Sequence, residues 1–147
     1  MEEIFPYEDR EQLYKFLIED FGFTKLEESY SPEALGNYYI ILYSNVFLLR
    51  YIKDRSFLTI EIASHLDPSN WYDLSFIKNF IYNPDNINPD NQSIFTKNRI
   101  EDLNNFLKKD FELISDLFDR ENFKDTKKKI DELLRKQFNQ RFPGAIR

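Results

Sequence analysis

Apolar and polar positions change their period several times along this chain. Leu13, Tyr14, Leu17, Ile18 and Phe21 fall on one stripe, which predicts a helix over residues 7–21. Pro6 suits its first turn, and Glu8, Asp9 and Glu11 sit where the helix dipole favours anions. Gly22 is placed to end it in the left-handed conformation. From residue 38 the pattern turns β-branched and aromatic. Residues 38–43 and 46–53 read as strands around Ser44-Asn45, residues 56–63 as another after Asp54-Arg55, and residues 23–30 as a weaker edge strand. Helical spacing returns after the turn Asp67-Pro68-Ser69-Asn70. Trp71, Leu74, Ile77, Phe80 and Ile81 predict a helix over 71–82. Two further helices follow: 98–119 on Ile100, Leu103, Leu107, Phe111, Ile114 and Phe118, and 122–141 on Phe123, Ile130, Leu133, Leu134 and Phe138. These pair as an αα-hairpin about a turn at 119–122. Between residues 83 and 97, Asn83-Pro84-Asp85-Asn86 recurs as Asn88-Pro89-Asp90-Asn91, a tandem of turns in a surface loop. The expected class is α+β: an antiparallel meander of three to four strands, one N-terminal helix and three following helices. The chain reads as a single domain over 1–147, with sub-structure at 1–82, the 83–97 loop and 98–147.

Strand alternation divides the meander into two faces. Two-residue loops would set Tyr43 opposite Val46, Ile41 opposite Leu48, Tyr39 opposite Arg50, Arg50 opposite Thr59 and Leu48 opposite Glu61. One face then carries Ile40, Leu42, Phe47, Leu49, Tyr51, Leu58, Ile60 and Ile62, and reads as core. The other carries Tyr39, Ile41, Tyr43, Leu48, Arg50, Ile52, Phe57, Thr59 and Glu61, mixing aromatic, aliphatic and charged groups. Arg50 and Glu61 come out as diagonal neighbours.

Composition narrows the chemistry. The chain has 147 residues, 41% hydrophobic and 17% aromatic, enough for a real core. With no Cys, one His and three Gly, it lacks a disulfide framework, a thiolate or His-rich metal site and a glycine-rich phosphate loop. No metal or cofactor is expected. The net charge of −6 disfavours nucleic-acid binding. Charge is uneven: residues 1–33 hold 10 acids and 3 bases, whereas from Arg120 onward there are 9 bases and 4 acids. Lys124, Lys127, Lys128, Lys129, Arg135, Lys136 and Arg141 interleave with acids, the pattern of a solvated helix face. The start Met-Glu-Glu-Ile-Phe-Pro has neither the basic nor the apolar part of a secretory signal, and no apolar run reaches the ~20 residues of a membrane span. The expectation is a cytoplasmic chain without membrane insertion.

Catalytic chemistry is sparse. His65, two residues before Asp67, could form a base with its orienter, and Glu61 adds a carboxylate. Ser64 and Ser69 lack the glycines of a nucleophile elbow. Asp85 and Asp90 offer oxygen ligands without the spacing or glycine of a calcium loop. Trp71 is expected to anchor its helix to the core.

The layout from about residue 16 to 81 resembles small acidic immunity proteins of bacterial polymorphic toxin systems. The resemblance rests on a helix closing with Phe21-Gly22-Phe23, the hairpin over 38–53, the Asp54-Arg55 turn, the strand over 58–62 and the Trp71 helix. It implies a single-domain inhibitor of a cognate toxin.

Three readings follow. The first is a non-enzymatic protein-binding module, of the immunity or adaptor kind, facing a basic toxin with Tyr39, Tyr43, Arg50, Thr59 and Glu61, and with Glu27 and Glu28 nearby. The second is a small hydrolase or other enzyme using His65, Asp67 and Glu61. The third is a subunit that self-associates through Phe111, Phe118 and Phe138.

Overall fold

The computed structural model describes residues 6–55, 57–84 and 97–141. A 3-10 turn, Tyr7–Asp9, leads into α1, Glu11–Phe21. Gly22 stops this helix at φ 72°, and the next N–H, that of Phe23, returns to the Leu17 carbonyl at 3.1 Å. Glycine adopts that backbone without steric cost, so the chain leaves the helix in one residue.

The sheet follows as β1 (Thr24–Ser31), β2 (Asn37–Tyr43), β3 (Phe47–Asp54), β4 (Phe57–Ser64) and β5 (Tyr72–Asp73). Their order in the sheet is the order in the chain, and every pairing is antiparallel. The α+β meander expected from the sequence is therefore present, with five strands instead of three or four. The added strand is the two-residue β5, which pairs Asp73 with Glu61 and Tyr72 with Ile62.

The register differs from the expected one by two positions. Tyr43 faces Leu48, Ile41 faces Arg50 and Tyr39 faces Ile52. The cause is Ser44. Its Oγ accepts from the N–H groups of Val46 and Phe47, both at 3.2 Å, and donates to the Phe47 carbonyl at 2.9 Å. Those bonds close a wider turn and end the ladder at Leu48. At the next turn Asp54 faces Phe57, which brings Arg50 directly opposite Glu61 instead of diagonal to it. A slip of two leaves every side chain on its expected face, because alternation has a period of two.

The remaining helices are α2 (Leu74–Tyr82), α3 (Lys97–Lys109), α4 (Phe111–Phe118) and α5 (Phe123–Arg141). Asp73 caps α2, its Oδ1 accepting from Ser75 N–H at 2.8 Å. The helix predicted over 98–119 is two helices, broken at Asp110, where φ is −110° and ψ 24°. Tertiary contacts explain the break. Asp110 accepts a hydrogen bond from Tyr82 at 2.6 Å, and the Phe111 ring stacks on Phe21 at 4.5 Å and meets Phe47 at 5.4 Å. Four helices thus follow the sheet among the described residues, against an expected three. The turn at 119–122 joins α4 to α5 as expected, with Asp119 Oδ1 accepting from the N–H groups of Glu121 and Asn122.

All five α-helices contribute buried side chains to one cluster with the expected core face. Ile40, Leu42, Phe47, Leu49, Tyr51, Leu58, Ile60 and Ile62 are each 0% exposed. Tyr51 Oη donates to Asn104 Oδ1 at 2.8 Å, and Asn104 Nδ2 donates to the Leu13 carbonyl at 3.0 Å, tying β3, α3 and α1 together. Burial pushes the Tyr51 hydroxyl well above its ordinary range and the buried Tyr14 hydroxyl up to about 12.

Candidate functional site: the open sheet face

Strand geometry exposes the second face as soon as the first is covered. None of Tyr39, Ile41, Tyr43, Leu48, Arg50, Ile52, Phe57, Thr59 and Glu61 belongs to the core cluster or to the side chains packed against it. The helices contribute their buried side chains to the opposite face, where the core cluster lies. Tyr43 is 37% and Phe57 48% exposed, whereas Leu48 and the Ala63 opposite it are buried.

One row crosses all five strands: Glu27, Ile41, Arg50, Glu61 and Asp73. Arg50 stands at its centre. Its Nε and Nη2 donate to Glu61 Oε1 at 2.8 and 2.5 Å, and its guanidinium carbon lies 4.3 Å from the centre of the Trp71 ring. Glu61 gives only Oε1 to this pair. Tyr39 Oη donates to Glu27 Oε2 at 2.5 Å, and this bond holds the phenol proton, raising the Tyr39 pKa. Thr59 lies one row away, opposite Ile52. Tyr43 touches the His65 ring edge-on at 5.1 Å between centres. The result is a partly exposed, shallow surface of aromatic and aliphatic groups with one arginine and three carboxylates in its central row.

Two expected placements change. Trp71 does not open a helix or anchor one to the core. It precedes β5 and lies over Arg50 on the open face, a contact its helical spacing to Leu74 and Ile77 concealed. Glu28 is turned to the helix side, where it pairs with Arg10 and with Lys25 at 3.4 Å. The Arg10 hydrogen bond holds its pKa below the ordinary carboxylate range. Adjacent residues point to opposite faces, so Glu27 and Glu28 do not serve one surface. Strand β1 carries a bulge between Lys25 and Glu27, leaving Leu26 62% exposed.

The groups considered for catalysis have separate partners. His65 Nε2 lies 2.6 Å from the Ser44 carbonyl, to which only its N–H form can donate. Asp67 accepts from Lys127 Nζ at 2.9 Å and from Asn70 at 3.3 Å, and the lysine lowers its pKa. Glu61 is held by Arg50. Hollows lie elsewhere: about 170 Å³ between α2 and α3, lined by Ser75, Lys78, Asn79, Arg99, Asp102 and Leu103, and about 350 Å³ beside Tyr82 and Asp110. Neither takes a wall from His65, Asp67 or Glu61.

Of the groups considered for self-association, Phe118 is 0% exposed and Phe111 packs on the core, while Phe138 is 42% exposed. Lys127 and Lys129 of the basic helix bind Asp67 and Asp125. Asp85 and Asp90 lie outside the described residues. Among the described residues no helix is long and apolar enough to cross a membrane.

No family model, curated protein or solved structure matches the chain.

Proposed function

We propose that this chain is a non-enzymatic protein-binding module that docks its partner on the open sheet face, in the manner of an immunity protein neutralising a cognate toxin. The observation that supports this most is the set of Arg50 paired with Glu61 and lying against Trp71, with Tyr39 and Tyr43, on the face opposite the core cluster. Interface hot spots are enriched in Trp, Tyr and Arg. The separate engagement of His65, Asp67 and Glu61 weighs against the enzyme reading.

The partner's docking surface is basic. The central row holds Glu27, Glu61 and Asp73 against Arg50 alone. Among the described residues the ion pairs of Glu19 and Glu28 run to Lys15, Arg10 and Lys25, and those of α5 run to Asp67 and Asp125. Acidic charge at a docking face speeds capture of a cationic partner and makes the on-rate salt-dependent.

Trp71 is the sole tryptophan, so its fluorescence reports on this face directly. The test is titration with the purified product of the neighbouring gene. A saturable change in Trp71 emission, lost in the Tyr39→Ala/Tyr43→Ala variant, is expected. A complex that forms without disturbing Trp71 and survives that double substitution overturns the open face as the docking surface.

A further inference from the structure

Trp71 reaches the open face at the end of a segment that has no burial of its own. Residues 65–71 run from β4 to β5 without helix or strand, and none of them is buried. Apolar packing does little to fix such a segment, so polar contacts set its course. His65 is held at the start by the Ser44 carbonyl. The Leu66 N–H donates to Ser64 Oγ at 3.2 Å, the Asp67 N–H to the Ser64 carbonyl at 3.1 Å, and the Asn70 N–H to the Asp67 carbonyl at 3.1 Å. Two further bonds meet on a single atom. Asp67 Oδ2 accepts from Asn70 Nδ2 at 3.3 Å, within the segment, and from Lys127 Nζ at 2.9 Å, on α5.

Both chain neighbours of Trp71 are tied to the last two helices. Asn70, bonded to Asp67, also donates through Nδ2 to Tyr72 Oη at 3.0 Å. The Tyr72 ring meets Phe118 of α4 at 6.1 Å and Phe123 of α5 at 6.3 Å between centres, edge-on in each case. Tyr72 thus faces the helices, while Trp71, one residue earlier, lies with its ring centre 4.3 Å from the Arg50 guanidinium carbon. The side chains of Asp67 and Lys127 are 32% and 42% exposed. An ion pair so open to water adds little to stability. What it supplies is position, since it joins the middle of an unburied segment to a long helix.

We propose that Asp67 and Lys127 form a positioning clamp, which holds Asn70 and so sets Trp71 against Arg50 before a partner arrives. Through this clamp α5 governs the order of a face to which it contributes no residue of its own. A side chain already seated binds more tightly, because less ordering is left to the moment of contact. The consequence for partner binding rests on the open face being the docking surface, whereas the clamp itself does not.

The experiment has two arms. The first uses the free protein and reads Trp71, the sole tryptophan, by emission and acrylamide quenching well below the melting temperature. Lys127→Met is expected to shift the emission and increase the quenching, and Lys127→Arg to keep the wild-type signal. Asp67→Ala should have the larger effect, since Asn70 loses its partner too, and adding Lys127→Met to it should change nothing more. Lys129→Met, which breaks the ion pair to Asp125 within α5, should leave Trp71 as it is. A Trp71 signal unmoved by Lys127→Met, moved equally by Lys129→Met, or additive in the double variant overturns the clamp. In the second arm, calorimetry measures binding to the purified product of the neighbouring gene. Lys127→Met is expected to weaken binding about threefold, the result of a Trp71 seated roughly a third of the time. Unchanged affinity beside a shifted Trp71 signal keeps the clamp and removes Trp71 from the docking surface. No complex with the wild-type chain removes the docking reading alone.

Discussion

Strand β3 shows two environments one residue apart. Leu49 and Tyr51 are 0% exposed beneath the helices, while Arg50 and Ile52, between and beside them, stay partly exposed on the other face. The first face is held by close packing and by a hydrogen bond from Tyr51 to Asn104. The second is held by the sheet itself, with an ion pair and a ring stack across its middle. Packing enclosed on all sides is costly to disturb, whereas surface pairs in water contribute little to stability. The open face is thus free to carry chemistry that the fold does not require.

The largest expected contrast is between Leu49→Ala and Ile41→Ala. The first should destabilise the protein by about 2–5 kcal/mol, as a cavity opens under the helices. The second should cost less than about 1.5 kcal/mol. Urea unfolding of both variants measures this, and equal losses would mean that something covers the open face. Next comes Asn104→Ala, which strands the buried Tyr51 hydroxyl and removes a second hydrogen bond from the Leu13 carbonyl. A loss of about 1–3 kcal/mol is expected, read from the same unfolding curves. Arg50→Ala should cost about 1 kcal/mol or less while changing Trp71 emission, since the guanidinium leaves the ring. A large stability loss there would make the pair a structural element of the sheet.

The smallest effect is acid dependence at Glu28. Its folded pKa lies below the ordinary value of 4.5, chiefly through the Arg10 hydrogen bond. Its contribution is complete above the ordinary value and is lost as pH falls through the lowered folded one. Glu28→Gln should therefore flatten the acid limb of a stability profile and leave its slope at neutral pH unchanged. An unaltered acid limb would show that the pair with Arg10 does not form in solution.

Much of this fold is legible in the residues. Period alone separates Ile40, Leu42, Leu49 and Tyr51 from Tyr39, Ile41, Arg50 and Ile52, and Gly22 marks the end of α1. The errors have identifiable causes. Ser44-Asn45 looks like a two-residue loop because the Ser44 side-chain bonds that widen it are visible only in three dimensions. Trp71 matches helical spacing with Leu74 and Ile77, yet the chain at Tyr72 and Asp73 finds a free edge on β4 and pairs there first. The break at Asp110 leaves the apolar stripe intact, so periodicity passes over it. Glu27 and Glu28 are neighbours in sequence, yet strand alternation separates them onto opposite faces.

Within the candidate site, sequence marks Tyr39, Tyr43, Arg50, Thr59 and Glu61 as sharing a surface, because side-chain alternation is a property of each strand's own backbone, and it places Glu27 and Glu28 only nearby; the β1–β2 pairing is what brings Glu27 into the row. The composition, with no Cys and three Gly, also excludes thiol chemistry and a glycine-rich phosphate loop, since no arrangement supplies absent groups. Tertiary structure decided the rest: Arg50 opposite Glu61, Trp71 against Arg50, and His65, Asp67 and Glu61 each given to a different partner. Those pairings join positions far apart in the chain. They depend on how wide each turn closes and which edge is free, and a local pattern of apolar and polar residues carries neither.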